Sequence, residues 1–265
     1  MKAPVTIACI KEIPDPEGPS TAFQINGDTK RVVPVGIPPV INPFDQNALE
    51  AALRLKDRLG GKVIAMNMAD KPAMPVLKRA LSVGVDEVVV LQDPGFKDLT
   101  SQSTAEVLCA GIKKIGPYDL ILTGRQSADW DFGLVGLLVA EILEIPAINL
   151  AQAVELREEG IFVERLRRVG HEVVTAPVPA LVTVSSEVGD LRLPTLKAIH
   201  DAKKKTVTVW GARDLGIDPG LLRTRSIRSL SSPPSRERAC LRIQGATPGE
   251  KGVNLALQLR RDRLI

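Results

Sequence analysis

The feature that most constrains the fold is an alternation of short apolar runs with amphipathic helical patterns in the first half of the chain. The apolar runs are VTIACI (5–10), KVIAMNM (62–68), DEVVVLQ (86–92) and YDLILTG (118–124). Continuous runs of this length are typical of strands buried on both faces of a parallel sheet. Strand, helix and strand in succession predict right-handed crossovers. We therefore expect an α/β fold with a doubly wound, mainly parallel sheet of the nucleotide-binding, Rossmann-like class.

Helices are predicted between these strands. Asn42 can cap the first one, and Pro43 suits its first position because the N–H that proline lacks is unpaired there in any helix. Apolar residues then recur at three- and four-residue spacing until Gly60-Gly61 ends the pattern. Residues 101–115 show the same apolar stripe, and a third apolar helix begins near Leu134.

The second half of the chain changes character twice. Residues 146–186 read as strands with turns at Glu159-Gly160 and near Gly170, which predicts an antiparallel extension. Residues 190–265 then carry 16 Lys and Arg against 7 Asp and Glu, whereas residues 1–189 have a net charge of −5. We predict an α/β ligand-binding domain at 1–189 and, from this charge asymmetry, a basic C-terminal segment at 190–265 that acts as an arm and lies on an acidic surface. A solvated tail is the alternative.

Several classes of function are disfavoured by motifs that the sequence lacks. No GxGxxG follows a strand, and neither GxxxxGK[ST] nor GxSxG occurs, so a dinucleotide fingerprint, a P-loop and a hydrolase elbow are unsupported. Three scattered cysteines and two histidines predict neither a disulfide framework nor a metal site. An aromatic content of 3% leaves few stacking surfaces for nucleic acid. Without a signal-peptide or transmembrane pattern, we expect a cytoplasmic protein.

The most polar strand end is the stretch LILTGRQSADWDFGLVG, residues 120–136. It either forms a solvated connection between strand and helix or holds a ligand. Doubly wound sheets bind ligands at the carboxyl ends of their strands, and free amides at a helix N-terminus bind phosphate. Asp129 and Asp131 would repel a phosphate unless they cap amides or bind ribose hydroxyls. The residues therefore favour a nucleotide whose sugar lies over the aspartates and whose phosphate lies near Gly133.

Four segments together resemble the β subunit of electron transfer flavoproteins. They are KEIPD (11–15), VINPFDQNALEAALRLKD (40–57), LTGRQSADWDFGLVG (122–136) and LPTLKAIHDAKKK (193–205). The resemblance implies a heterodimer with a larger α subunit that carries the redox-active FAD and is wrapped by the C-terminal arm. It further implies that this chain binds AMP, or a second FAD as in electron-bifurcating members of the family. The last segment, roughly residues 218–265, has no motif that we can match.

The resemblance also implies which residues hold the nucleotide. The chain departs from the family at Trp130, where a glycine is frequent, and at Phe132, where a small residue is frequent. Because both add bulk to a turn that faces the ligand, we expect AMP rather than a second flavin. The implied nucleotide-binding residues are Cys9, Asn42, Pro43, Phe44, Asp45, Met68, Gly124, Arg125, Gln126, Ser127, Ala128, Asp129, Trp130, Asp131, Phe132, Gly133, Leu134 and Val135.

By its pattern alone, the segment 193–205 is an ordinary basic, amphipathic surface stretch. The resemblance implies that Leu196 anchors partner dehydrogenases, with Thr195, Lys197 and Ile199 beside it. Acyl-CoA or related flavoprotein dehydrogenases would then reduce the FAD of the α subunit, and a membrane quinone oxidoreductase would reoxidise it. We expect no acid–base catalysis by this chain. Two alternatives stay open: a bifurcating subunit that binds a second FAD and oxidises NADH, and a stand-alone nucleotide-binding sensor.

Overall fold

The computed structural model describes residues 3–232 and 240–265. The chain divides into two compact units, Met1–Ser229 and Leu230–Ile265. Part of the predicted arm, residues 233–239, lies outside the described residues. The division predicted at residue 190, between a nucleotide domain and a docking arm, concerns function and stays a prediction. The first unit continues beyond that point because Val207–Trp210 forms an edge strand of its sheet.

The first unit alternates strands and helices. Its strands are β1 (Val5–Ile10), β2 (Glu12–Pro14), β3 (Phe23–Asn26), β4 (Arg31–Pro34), β5 (Pro39–Ile41), β6 (Lys62–Ala69), β7 (Glu87–Gln92), β8 (Leu120–Gly124), β9 (Ala147–Arg157), β10 (Gly160–Leu166), β11 (His171–Ala176), β12 (Ala180–Val184) and β13 (Val207–Trp210). Its helices are α1 (Pro43–Leu59), α2 (Met74–Ser82), α3 (Ser101–Ile115), α4 (Val135–Leu143) and α5 (Leu196–Lys204). The second unit contains α6 (Pro248–Arg261).

Nine strands form the central sheet, in the order β11-β10-β9-β12-β8-β1-β6-β7-β13. The seven strands from β9 to β13 in this order are parallel to their neighbours, and β10 is antiparallel to both β9 and β11. The predicted α/β fold, a mainly parallel sheet with an antiparallel extension, is therefore confirmed. From β1 the chain proceeds to β6 and β7 on one side and then returns to β8 on the other. The order of strands thus reverses between β1 and β8.

One strand was assigned to the wrong part of the sheet. The sequence predicted an antiparallel strand at residues 180–184, but β12 is parallel to both β8 and β9. All five of its residues are buried, because β12 lies between two strands in the interior of the sheet. Its continuous apolar pattern, ALVTV, is the pattern of such a strand.

Helices pack on both faces of the sheet. On one face, α1 and α2 bury Leu49, Leu53 and Leu77 against the sheet. On the other face, α3 and α4 bury Ile112 and Val139. The α1 helix ends at Gly60, whose φ of 72° suits a residue without a side chain. Among the described residues, no helix combines the length and the apolar character that crossing a membrane requires.

Candidate nucleotide-binding site

The candidate site lies at the carboxyl edge of the sheet, where the strand order reverses. β1 pairs with β6 on one side and with β8 on the other, so their last residues are neighbours. The short strand β2 follows β1 and pairs with β5, and β5 leads directly into α1. This pairing places the start of α1 beside the ends of β1 and β8. Ligands of doubly wound folds bind at such a reversal point. The structure therefore brings together the predicted segments around Cys9, 42–45 and 124–135.

Asp45 ties the ends of β1 and β8 to the start of α1. Its buried carboxylate accepts hydrogen bonds from the backbone N–H groups of Lys11, at 2.8 Å, and Gly124, at 3.0 Å. A Cβ on Gly124 would lie 2.5 Å from Oδ1 of Asp45 and 2.6 Å from the carbonyl carbon of Phe44. Residue 124 must therefore be glycine for α1 to approach the end of β8 this closely.

The ionisation of Asp45 is set by its surroundings. Burial raises its pKa from 3.8 to about 7, although the polar side chain of Asn42 beside it, the hydrogen bonds from the N–H groups of Lys11 and Gly124 and the charge of Lys11 act in the opposite direction. Desolvation penalises the ionised form, whereas donors aimed at the carboxylate favour it. Asp45 therefore changes its protonation state near neutral pH, at a position that organises the site.

Asn42 organises the polar turn of residues 124–133. Its Nδ2 donates to the carbonyl oxygen of Gln126 at 2.9 Å, and its Oδ1 accepts from the N–H of Ala128 at 3.1 Å. Asn42 occupies the N-cap position of α1, but its side chain makes no capping hydrogen bond to the helix. The predicted side-chain cap is therefore wrong, because the amide is already committed to the turn. Pro43 does occupy the first helical position, as predicted.

Ionic and polar contacts close the turn over the end of β1. Lys11 Nζ lies 2.7 and 2.6 Å from the two carboxylate oxygens of Asp129 and 3.5 Å from Oγ of Ser127. Gln126 Nε2 donates to Asp131 Oδ1 at 2.8 Å. The sequence marked Lys11 in the segment KEIPD but did not place it among the site residues. Its contact with the predicted ribose-binding aspartate adds it to the site.

The site offers positive groups to an anion. The guanidinium of Arg125 lies 4.7 Å from the ring centre of Phe44, and its buried Nε has no hydrogen-bond partner among the described residues. Leu134, the N-cap residue of α4, makes no side-chain hydrogen bond to the helix, so the amides of the first turn, from Val135 onward, have no capping side chain among the described residues. Gly133 precedes them with a φ of 62°. A phosphate fits this combination of a guanidinium and helix amides.

Trp130 and Phe132 contact each other and an arginine far away in the sequence. Their ring centres are 6.0 Å apart, and the Arg225 guanidinium lies 4.2 Å from the ring centre of Trp130 and 5.7 Å from that of Phe132. Trp130 lines a small cavity that also includes Arg31 and Asp98. Both rings remain about half exposed. No local pattern in the sequence could have indicated Arg225 as their partner.

The predicted residues Cys9 and Met68 belong to the apolar wall below the polar turn. Cys9 is buried, and Met68 packs against the same core cluster. Burial, and secondarily the charge of Asp45, raises the pKa of the Cys9 thiol well above its ordinary value, so it stays neutral. Asn67 precedes Met68 on β6 and lies opposite Ile10 in the sheet. It is fully buried, its Nδ2 donates to the carbonyl of Ile10 at 3.1 Å, and its Oδ1 has no hydrogen-bond partner among the described residues. No pattern in the sequence predicted this buried amide.

The predicted docking residues lie at the start of α5, which packs against α2. Thr195 caps α5, its Oγ1 accepting from the N–H of Ala198 at 3.2 Å. Leu196 is 87% exposed and Ile199 is 40% exposed, and Lys197 is exposed beside them. Exposed aliphatic side chains on a capped helix form an available contact surface.

The fold and the site define a doubly wound α/β protein with a polar ligand cradle at its reversal point. The family model of the electron transfer flavoprotein domain matches residues 30–215. The chain therefore belongs to the electron transfer flavoprotein family, as the resemblance predicted, and specifically to its β subunits. Its role is electron transfer, and membership implies an α-subunit partner.

Individual relatives agree with this assignment. The chain is 35% identical over 237 residues to an electron transfer flavoprotein subunit beta of Thermoanaerobacterium thermosaccharolyticum, covering 88% of this chain and 89% of that protein. It is 33% identical over 265 residues to the caffeyl-CoA reductase-Etf complex subunit CarD of Acetobacterium woodii, covering 98% and 99%. It is 31% identical over 257 residues to the protein FixA of Bradyrhizobium diazoefficiens, covering 92% and 88%.

Proposed function

We propose that this chain is the β subunit of a heterodimeric electron transfer flavoprotein and holds AMP as a structural ligand at the β1/β8 reversal point. The observation that carries the proposal is the hydrogen-bonded cradle itself. Asp45 and Asn42 join two strand ends, one helix start and the polar turn through four hydrogen bonds of 2.8–3.1 Å. A turn held this firmly presents its amides and side chains in a fixed arrangement, which lowers the entropic cost of binding.

Positive and negative groups of the cradle suit different parts of the nucleotide. Arg125 and the free amides at the start of α4 suit the phosphate, whereas Asp129 and Asp131 suit ribose hydroxyls. Lys11 neutralises Asp129, so the carboxylate does not face the phosphate as an unpaired charge. The chain binds and orients, while the FAD held with the α subunit supplies the redox chemistry.

The exposed residues at the start of α5 would form the contact surface for the dehydrogenases that reduce the complex. Leu196, with Thr195, Lys197 and Ile199 around it, would insert into an apolar pocket of acyl-CoA or related flavoprotein dehydrogenases. Lysines of the α5 segment would speed the encounter with an acidic partner surface. Electrons would then leave through a membrane quinone oxidoreductase. The basic second unit exposes Val253, Leu255 and Leu257 on α6. These side chains would be buried against the α subunit in the heterodimer.

The test is a ligand count on the purified heterodimer. We expect one FAD and one AMP per heterodimer after denaturation. Asn42→Ala should release the AMP, because it removes both side-chain contacts to the turn, while the FAD content remains. Asn149→Ala is a matched control, since Asn149 accepts a hydrogen bond from Arg165 on the antiparallel extension instead. Full AMP content in the Asn42 variant would contradict the proposed site.

A second candidate is an electron-bifurcating subunit that binds a second FAD here and takes part in NADH oxidation. Two observations favour it. The rings of Trp130 and Phe132 are engaged with Arg225, which weakens the argument that their bulk excludes a flavin. A relative that matches nearly the whole chain is named as part of a reductase complex. Two FAD and no AMP per heterodimer, with flavin reduction on addition of NADH, would establish this candidate over the first.

A further inference from the structure

A buried glutamate on α1 holds the base of the docking segment. Glu50 is only 5% exposed, and its carboxylate accepts from Arg192 at three places: the backbone N–H at 3.1 Å, Nε at 3.0 Å and Nη2 at 3.1 Å. Arg54 Nε adds a fourth hydrogen bond at 3.0 Å. The third guanidinium nitrogen of Arg192, Nη1, lies 2.7 Å from Oδ2 of Asp57. We call the pair Glu50–Arg192 the clasp.

Two more side chains of α1 hold the residues just before the clasp. Asn47 Nδ2 donates to the carbonyl of Gly189 at 2.7 Å, and Arg54 Nη1 donates to the carbonyl of Val188 at 2.7 Å. Residues 188–192 are therefore fixed to α1 through both backbone and side-chain groups. A chain with so many directed hydrogen bonds has little freedom to move relative to the helix.

The segment beyond the clasp has the opposite character. Leu193 is 85% exposed and Leu196 is 87% exposed. An exposed anchor gains most when its backbone is already ordered, because binding then does not have to pay for ordering it. The clasp ends one residue before Leu193, so it fixes the direction in which this segment leaves the body of the protein.

The charges of Glu50 and Arg192 strengthen the hydrogen bonds of the clasp. Burial alone would raise the pKa of Glu50, but hydrogen bonds from Arg192 and Arg54 outweigh it and lower the pKa instead. The carboxylate therefore stays ionised at neutral pH, and the charge-assisted bonds stay intact. Removing Arg192 leaves the buried Glu50 carboxylate with Arg54 as its remaining charged partner.

We propose that Glu50 and Arg192 are positioning residues, which preorganise the segment 193–199 to receive a flavoprotein dehydrogenase. The inference rests on the proposed docking function and adds the residues that act through Leu196 without touching the partner. A purely structural role would predict only lower stability of the variants. A positioning role predicts a loss of docking that depends on the presence of the Leu196 anchor.

The decisive experiment is a double-mutant cycle in the purified heterodimer, with the dehydrogenase's KM and kcat for the heterodimer as the measured quantities. Leu196→Ala should raise the KM about tenfold. Glu50→Gln should raise it by a factor no larger than this and leave kcat unchanged. In the Leu196→Ala background, Glu50→Gln should have no further effect, because the anchor that it positions is gone. Glu87→Gln, which breaks an exposed ion pair with Lys62, is the matched control and should leave the KM unchanged.

The possible outcomes separate this inference from the docking function. An unchanged KM for Leu196→Ala would refute the docking function and the inference with it. A raised KM for Leu196→Ala beside an unchanged KM for Glu50→Gln would refute only the inference. Effects of the two changes that multiply in the double variant would also refute it, since independent sites behave in that way.

A second measurement does not depend on any dehydrogenase. Amide hydrogen exchange at Ala198 and Ile199 should become faster in Glu50→Gln, while exchange at the amide of Ala128 in the nucleotide turn stays the same. Unaltered exchange at residues 198 and 199 would overturn the inference. Arg192→Lys provides a second variant for a case in which Glu50→Gln does not fold. It keeps the charge but loses the planar fork that reaches Glu50 and Asp57 together, and it should show the same pattern more weakly.

Discussion

Asp45→Asn is the change that tests most directly how the cradle is held together. The carboxyl group accepts from two backbone N–H groups, those of Lys11 and Gly124. Both of its oxygens have lone pairs that can accept even when one of them is protonated, whereas an amide of the same shape has only one acceptor oxygen. In the variant, one buried N–H therefore loses its partner and faces an NH₂ group instead. Leaving one buried donor unsatisfied costs about 1–3 kcal/mol. We therefore expect Asp45→Asn to lower the free energy of unfolding by this amount at a pH where Asp45 is protonated.

The pH dependence adds a second, independent signature. Burial raises the pKa of Asp45 from 3.8 to about 7 in the folded protein. A carboxyl with a raised folded pKa contributes stability that is fully present below the unfolded value and is lost as the pH rises through the folded value. The difference between the two pKa values corresponds to a loss of roughly 4 kcal/mol in the free energy of unfolding between about pH 4 and pH 7. An asparagine does not titrate, so this contribution is absent in the variant.

The assay is urea denaturation of wild type and variant at pH 5 and pH 8, followed by tryptophan fluorescence. The stability advantage of the wild type should be larger at pH 5 than at pH 8. Asp119→Asn is the control, because Asp119 Oδ2 also accepts a strand N–H, that of Val5 at 2.7 Å, but lies at the other end of β1. An advantage that is equal at both pH values, or absent at pH 5, would refute the reasoning.

Four further predictions follow from the same structure. Leu196→Ala should slow reduction by a partner dehydrogenase about tenfold at limiting partner concentration, measured by stopped flow, with nucleotide content unchanged. Gly124→Ala should lower stability by about 1–3 kcal/mol, because its Cβ would overlap Asp45 and Phe44; an unchanged melting temperature would contradict this. Asp129→Ala should remove the stabilisation that added AMP gives, about 2.7 kcal/mol at a hundred times the dissociation constant; an equal thermal shift in variant and wild type would count against the site. Expressed without a partner, the chain should be cut by protease beyond about residue 190, because apolar side chains such as Leu257 are left uncovered; a protease-resistant, monodisperse full-length chain would sink this expectation.

The sequence predicts β1, β6, β7, β8, α1, α3 and α4 because each carries its own periodicity, whereas the short strands β2 to β5 and the helix α2 were not predicted. β1 and α1 begin within a residue of their predicted starts, since buried strands and helix stripes leave local patterns. The strand at 180–184 was placed in the wrong pairing for a related reason. Its pattern shows that it is buried but not which strands lie beside it. Its neighbour β8 ends more than 50 residues earlier, and such pairings depend on the topology of the whole sheet.

The sequence predicted which segments form the site but not which residues contact each other within it. The segments 42–45 and 124–135 were expected from the resemblance, and the fold brings them to one edge of the sheet. The function of Asn42 within them was misjudged, because an N-cap is a local motif and its actual partners lie 84 and 86 residues away. Arg225 and the clasp between Glu50 and Arg192 join residues that are even further apart, with no sequence pattern to connect them.

Helix α1 carries residues of both proposed sites, so mutations at different positions on it should affect nucleotide binding and partner docking separately. The first turn of α1 carries Asp45 of the cradle, while Glu50 of the clasp lies in the following turns. Both carboxyl groups can be buried on this helix because each has its hydrogen-bond partners. Changes confined to Asp45 should alter nucleotide retention without affecting docking, and changes confined to Glu50 should do the reverse. A change in the apolar stripe between them, at Leu49 or Leu53, shifts the whole helix against the sheet and should affect both together.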